Sequence, residues 1–231
     1  MRGIEILHED PDVIVISKAA GVLSCATRRG GEEYSVESAL TDYVRKGQAR
    51  SRKCVYLVHR LDRETSGVMM VAKTPEAQEH FRSSWNEITE KTYLARVHGH
   101  LEAKEGAFES YLAENPRTLS VHSVKDPAHG KFASTLYRVL EEDRGTSLVE
   151  VRLKSGRKNQ IRVHFAEAGH PVVGDARYGG AKHRGERGPL MLHAWRLAFV
   201  HPHSGKRLEF ESAPPETLRA RGQSKKKGKQ Q

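Results

Sequence analysis

The stretch that most constrains this chain is His59-Arg60-Leu61-Asp62-Arg63-Glu64-Thr65-Ser66-Gly67, followed by Val68-Met69-Met70-Val71-Ala72-Lys73. Densely packed polar residues lead into a glycine turn, and then into an apolar run short enough to be a buried strand. That layout holds a set of side chains at the rim of a sheet, where a rigid element positions chemistry better than a free loop. By composition alone the same nine residues would make a surface hairpin with an Arg–Asp ion pair. The rest of the chain has to decide between the two.

Its 231 residues fit one large domain or two small ones and can bury a substantial core. Glu5, Glu9 and Asp10 stand where a signal peptide would need an apolar segment, and no apolar run approaches the roughly 18 residues of a membrane span. Cys25 and Cys54 match no metal spacing and do not suggest a disulfide framework, so they read as free thiols in a reducing cytosol. The expected location is cytoplasmic, with no membrane partner. A net charge of +10 makes a polyanion a fair first guess for a partner. However, Arg219, Arg221, Lys225, Lys226, Lys227 and Lys229 supply six of those charges with no acid among them, leaving +4 for the remainder. This tail reads equally as a disordered solubilising end or an RNA-gripping arm, so charge alone decides nothing.

Along the chain, Ile4–Leu7 and Val13–Ser17 read as two strands around Asp10-Pro11-Asp12. Arg28-Arg29-Gly30-Gly31 is a basic loop, and Gln48–Lys53 a short basic link. Ser35 caps a helix whose apolar stripe is Val36, Leu40, Tyr43 and Val44, ended by Gly47. Thr74-Pro75-Glu76 starts a second helix, with Ala77, Phe81, Ser84 and Trp85 on its inner face. Lys91–Val97 alternates as a strand, with Tyr93, Ala95 and Val97 on one side. Further strands are expected at Glu109–Ala113, Phe132–Leu140, Leu148–Leu153, Met191–Val200 and Arg207–Glu211, and a helix over Gln160–Ala168 closed by Gly169. Pro214-Pro215 marks the end of compact structure, giving one α+β domain over 1–215 and a basic tail over 216–231.

His59-Arg60-Leu61-Asp62 with Thr65-Ser66-Gly67, and the apolar run ending Ala72-Lys73, resembles the catalytic motif of the RluA-type RNA pseudouridine synthases. The resemblance runs from about Leu7 to Pro214. Lys18-Ala19-Ala20-Gly21 falls on that family's Asn-Lys-Pro-x-Gly, with Ser17 for the Asn and Ala19 for the Pro. Ser155-Gly156-Arg157-Lys158-Asn159-Gln160-Ile161-Arg162-Val163-His164 is similar to its Thr-Gly-Arg-x-His-Gln-Ile-Arg-x-His, with Ser155 and Asn159 departing. Lys91-Thr92-Tyr93 matches Lys-x-Tyr, and Gly169–Asp175 with Tyr178-Gly179 and Leu192-His193-Ala194 match later blocks.

The resemblance implies an α+β fold: a mixed, mainly antiparallel sheet with flanking helices and a central active-site cleft. It implies that Asp62 is the catalytic carboxylate, Arg162 its ion-pair partner and Tyr93 the aromatic on the target uracil. Arg60 is a second candidate for the balancing cation; His59, Lys91, Arg157 and Gln160 are candidate substrate contacts. The block around Asp175 reads as mostly architectural, with Asp175 a lesser site candidate. Many members of this family carry an extra N-terminal RNA-binding domain; this chain starts at the catalytic region, so its catalytic domain is expected to grip RNA itself.

The chemistry asks little beyond one carboxylate. Converting uridine to its C-glycoside isomer breaks C1′–N1, turns the uracil and rejoins at C5; no electron leaves and no water is consumed. The carboxylate either attacks C1′ or takes the C2′ proton to give a glycal, and the sequence leaves both routes open. A free aspartate has a pKa of about 3.9; burial would raise it and a nearby arginine would lower it, so a buried catalytic Asp calls for an Arg. No cofactor is expected. No metal is expected either: among thirteen histidines no His-Glu-x-x-His occurs, and His201-Pro202-His203 would need distant partners. The expected function is a pseudouridine synthase acting on tRNA or rRNA. The rivals are an RNA chaperone of the same fold and a metal-dependent nuclease or hydrolase. The sequence is silent on oligomeric state; a monomer is the simplest expectation.

Overall fold

A computed structural model describes residues 1–26, 33–48, 50–183, 185–186 and 188–218. The Arg28–Gly31 loop and the basic residues of the tail lie outside them. In chain order the elements are β1 (Ile4–Glu9), β2 (Val13–Lys18), α1 (Val36–Arg45), β3 (Tyr56–Leu57), β4 (Ser66–Ala72), α2 (Pro75–Ile88), β5 (Thr89–His98), β6 (Glu105–Glu114), β7 (Val121–Val124), β8 (Lys131–Asp143), β9 (Thr146–Leu153), α3 (Gln160–Glu167), β10 (Leu192–Val200) and β11 (Arg207–Glu211). This is the expected α+β class, a mainly antiparallel sheet with three α-helices among the described residues. None of these helices is long and apolar enough to cross a membrane.

The chain divides into two compact units: Met1–Thr92 with Ala194–Ser212, and Tyr93–His193 with the residues from Ala213. In the first, β2 pairs antiparallel with both β1 and β4, and β10 with β11. Val13, Val15, Val68, Met70, Phe81, Leu197 and Phe199 form its core, as alternate residues of β2 and β4 turn to one side. Its helices start where the sequence says. Ser35 and Ser38 cap each other's backbone N–H groups at α1 (3.0 and 3.1 Å), and the Thr74 hydroxyl accepts from Ala77 N–H (3.1 Å) ahead of Pro75 at α2. Gly67 has φ +118°, and a Cβ there would stand 2.1 Å from the Ala194 carbonyl oxygen. The glycine of the motif is therefore required by a close backbone approach as well as by its conformation.

In the second unit β6 pairs with β7 and β8, and β8 with β9, all antiparallel. Ala95, Val97, Val149, Val151, Ile161 and Phe165 lie in its core, with Tyr93 packed against them, as the alternation in β5 predicts. Strand β7 was not expected; four residues between polar flanks carry too little periodicity to register. Every residue of α3 from Gln160 to Phe165 is buried. Compact structure also runs past the expected end at Pro215: Glu216–Leu218 makes one 3₁₀ turn that buries Leu218 to 2% exposure.

Candidate active site

The residues singled out in the sequence fall into two groups, one in each unit. In the first unit Asp62 sits in the loop between β3 and β4, and its neighbours on both sides are clamped at their backbone atoms. The Ser24 hydroxyl donates to the Leu61 carbonyl (2.7 Å) and accepts from the Leu61 N–H (3.1 Å). The Arg63 carbonyl accepts from the Gly21 N–H (2.7 Å) and from Lys18 Nζ (3.2 Å), and Arg63 Nε donates back to the Gly21 carbonyl (3.2 Å). A further turn bond, from Thr65 N–H to the Asp62 carbonyl (3.1 Å), closes the loop. The segment after β2 thus grips the peptide units before and after Asp62.

Lys18 is the hub of this clamp. It is 1% exposed and its ammonium donates to the carbonyls of Ala19 (3.1 Å), Val22 (2.8 Å) and Arg63 (3.2 Å). Burial pushes its pKa down to about 8, with the carboxylates of Glu64 and Asp62 pulling back the other way. Sequence reasoning met Lys18 only as part of a partial motif and missed Ser24. A lysine ending an otherwise apolar strand was the one available signal, and a lone serine gives none.

His59, three residues before Asp62, is held neutral. Its Nε2 accepts from the Met70 N–H (3.0 Å), and its ring stacks on Trp85 at 4.7 Å. Burial, and secondarily the charge of Lys91, push its pKa down to about 3. Lys91 itself is buried, donates to Asn86 Oδ1 (2.9 Å) and lies 5.7 Å from the Trp85 ring centre. Arg60 is exposed, with Nη1 4.0 Å from Cys25 Sγ.

In the second unit Arg162, 8% exposed on buried helix α3, is held through its own guanidinium. Nε and Nη2 donate to the two oxygens of Asp175 (2.7 and 2.8 Å), and Nη1 reaches Asn159 Oδ1 (3.4 Å). The group lies 5.2 Å from the Tyr178 ring centre. Asp175 also accepts the N–H groups of Arg177 (3.0 Å) and Tyr178 (2.9 Å). Burial alone would push its carboxyl up; the bonds and charge of Arg162 with those two N–H groups hold it below the ordinary aspartate value. Asp175 is thus the anchor of Arg162, a larger part than the sequence suggested.

Gln160 is 2% exposed and commits its whole amide to the protein. Its oxygen accepts from Ser155 Oγ (2.8 Å) and Arg157 N–H (3.0 Å); its nitrogen donates to the Ser134 carbonyl (3.0 Å) and Thr135 Oγ1 (2.9 Å). Arg157 is half-buried and donates from Nε to the Phe132 carbonyl (2.9 Å). Both tie the turn before α3 to β8. Asn159, where the motif more often has His, enters that helix with φ 53°, a left-handed conformation that asparagine tolerates well.

A fold of this kind is found in solved structures of known class. The human RNA pseudouridylate synthase domain-containing protein 4 superposes with a TM-score of 0.73 at 23% identity, over 94% of this chain and 90% of that one. Domain-containing protein 1 of the same series gives 0.72 at 25% identity, over 94% and 86%. In sequence, the model of the RNA pseudouridylate synthase family matches residues 12–167. The ribosomal large subunit pseudouridine synthase D of Nitrosomonas europaea is 35% identical over 94% of this chain, which spans 64% of that relative's length. The uncharacterized RNA pseudouridine synthase YjbO of Bacillus subtilis is 34% identical, over 93% of this chain and 74% of its own. The chain belongs to the RNA pseudouridylate synthase family, of RluA type.

Proposed function

We propose that this chain is an RNA pseudouridine synthase that isomerises a particular uridine in tRNA or ribosomal RNA, in the cytoplasm. The name borne by the Nitrosomonas relative favours large-subunit ribosomal RNA as the substrate. The observation that carries the reading is the clamp on Leu61 and Arg63, which fixes the backbone on both sides of Asp62. Such preorganisation is what a carboxylate needs to meet a sugar carbon in a defined geometry.

In this reading Asp62 does the chemistry, at C1′ or at the C2′ proton. Arg162, oriented by Asp175, supplies the balancing positive charge. Tyr93 packs on the uracil, which has to be swung out of its stack; an aromatic platform lowers that cost. Arg60, exposed beside the loop, contacts the RNA, and His59, Lys91, Arg157 and Gln160 support the surfaces that receive it. The isomerisation balances without electrons or water, so its own stoichiometry calls for no redox cofactor.

Asp62→Asn tests the reading. Pseudouridine in total RNA is mapped by chemical labelling in cells carrying the wild-type gene, the variant or neither. The synthase reading expects one labelled position that vanishes with the gene and is not restored by Asp62→Asn, while the purified variant still binds RNA. Restoration of the label by the variant would take Asp62 out of the chemistry. A phenotype of the deletion that the variant rescues without the label would favour the RNA-chaperone reading, and strand cleavage abolished by a chelator would favour the nuclease.

A further inference from the structure

Two sets of histidine and carboxylate side chains among the described residues converge closely enough to hold an ion: Asp10, Asp12 and His201 in the first unit, and His98, His183 and Glu186 in the second. They differ in how fully their ring nitrogens are satisfied by the protein. His201 Nδ1 accepts the N–H groups of Ser204 (3.1 Å) and His203 (3.3 Å), so its proton is on Nε2, which faces Asp10 Oδ2 (3.2 Å) and Asp12 Oδ2 (3.7 Å). Asp10 also accepts the N–H groups of Asp12 and Val13 (2.8 Å each) and meets His8 Nε2 (2.7 Å). Both ring nitrogens of His201 thus have partners in the protein, and nothing there is left for an ion to satisfy. This first set is a turn lock.

The second set is built otherwise. His98 is the last residue of β5, and its backbone is fixed on both sides: its N–H donates to the Pro171 carbonyl, and its own carbonyl meets His170 Nδ1 (2.9 Å each). His183 and Glu186 are three positions apart, and the Glu186 N–H donates to the His183 carbonyl (3.2 Å). Glu186 gives one oxygen to each ring, Oε1 to His183 Nδ1 (2.7 Å) and Oε2 to His98 Nε2 (3.0 Å). The rings are stacked at 3.6 Å and 17°. The His98 contact is close but off the hydrogen-bonding direction: this buried nitrogen has no hydrogen-bond partner among the described residues. A buried ring nitrogen left so is costly, and an ion shared between it and the carboxylate would satisfy both.

We propose that His98, His183 and Glu186 bind one divalent transition-metal ion, zinc foremost, in a clip that fastens His183 and Glu186 to the end of β5. Two imidazoles and a carboxylate are a zinc donor set, with a water completing four-coordination. Ligand atoms around tetrahedral zinc stand roughly 3.3 Å apart, given bonds of ~2.0–2.1 Å. The observed 2.7 and 3.0 Å open by a few tenths of an ångström, and the two stacked rings turn out of their parallel planes to aim a nitrogen each at the ion. Glu186 is 42% exposed, which leaves the ion a way in. The local pair is spaced His-x-x-Glu, and its third ligand lies 85 positions earlier, so a scan for short motifs passes over it. The site does not depend on the reaction proposed above.

The test uses the full chain stripped with a chelator, then titrated with zinc chloride against a competing indicator, with thermal unfolding in parallel. The proposal expects one ion per chain at sub-micromolar Kd, and a midpoint raised by about 5–10 °C at a hundredfold excess over Kd. Cobalt(II) in place of zinc should give the visible absorption of a four-coordinate site. His98→Ala and Glu186→Gln should each weaken binding tenfold or more, while His201→Ala binds like wild type. Glu186 is partly exposed and safe to change, so it keeps the test alive if His98→Ala fails to fold. Binding no tighter than tens of micromolar, or unchanged in Glu186→Gln, or lost in His201→Ala, overturns the site.

Discussion

The loop of Asp62 and the corner of Arg162 are both held firmly, but by different parts of the chain. Around Asp62 the grips are on the peptide units of Leu61 and Arg63, made by Ser24, Gly21 and Lys18. Around Arg162 the grip is on the guanidinium itself, two-pronged, from a buried carboxylate. A backbone clamp fixes where a residue points without choosing its side chain; a bidentate ion pair fixes the side chain and tolerates no substitute. The carboxylate loop should therefore fail by loosening, and the arginine corner by losing a buried ion pair.

Asp175→Asn probes the corner and carries the largest expected effect. Removing the carboxylate that takes two of the bonds of a buried guanidinium breaks a buried ion pair, at about 3–5 kcal/mol. Urea unfolding should show that loss with an unchanged m-value. A loss under about 1 kcal/mol would mean that the guanidinium is held by something other than this carboxylate.

The next effect separates pH dependence from geometry. His59 holds its proton less well folded, at about 3, than the ordinary 6.5. Across that window the unfolded chain binds the extra proton. His59 therefore makes stability fall as pH drops from 6.5 towards 3, by about 1.4 kcal/mol per pH unit. His59→Gln should flatten the slope by that amount relative to wild type. Equal slopes would show that the ring is not kept neutral in the fold.

Ser24→Ala tests the clamp. It leaves both the N–H and the carbonyl of buried Leu61 without the hydroxyl, at a cost of about 1–3 kcal/mol, less than at the corner. Faster amide exchange confined to the 61–65 loop would mark loosening; no change there would break the contrast between the two regions.

That contrast also governs what could be read in advance. The motif around Asp62, the caps at Ser35 and Thr74 and the inward face of β5 were legible because each is a local pattern of side chains. Arg162 was legible through its motif, though an arginine on a helix is ordinarily solvated; the burial of α3 from Gln160 to Phe165 explains why this one is not. Ser24 was hidden because it acts on backbone atoms 37 positions away, and backbone contacts leave no trace in residue type. Gln160 read as a substrate contact, yet its amide is bound on every side by the protein. A motif reports that a residue matters without saying whether it faces the ligand or holds the loop that does.

Lys18 is where two large effects oppose each other. Its folded pKa of about 8, against the ordinary 10.5, means that at neutral pH its charged form is held at a cost of about 3 kcal/mol. Its ammonium nevertheless satisfies three carbonyls, and losing such bonds costs about 1–3 kcal/mol for each buried group left unpaired. Arg63 would keep its bond from Gly21, so two carbonyls at most are stranded in Lys18→Met. Gain and loss are of one size, and the net change at pH 7 should be the smallest here, within about 1 kcal/mol. The signature lies in the pH profile. Between pH 8 and 10.5 the unfolded wild type still binds the proton that the folded form has released, so wild-type stability should climb through that range. In Lys18→Met that contribution should vanish. A variant that keeps the climb would mean that another group, and not Lys18, titrates there; one that loses several kcal/mol at neutral pH would mean that the clamp rests on the lysine's charge far more than on the backbone geometry around it.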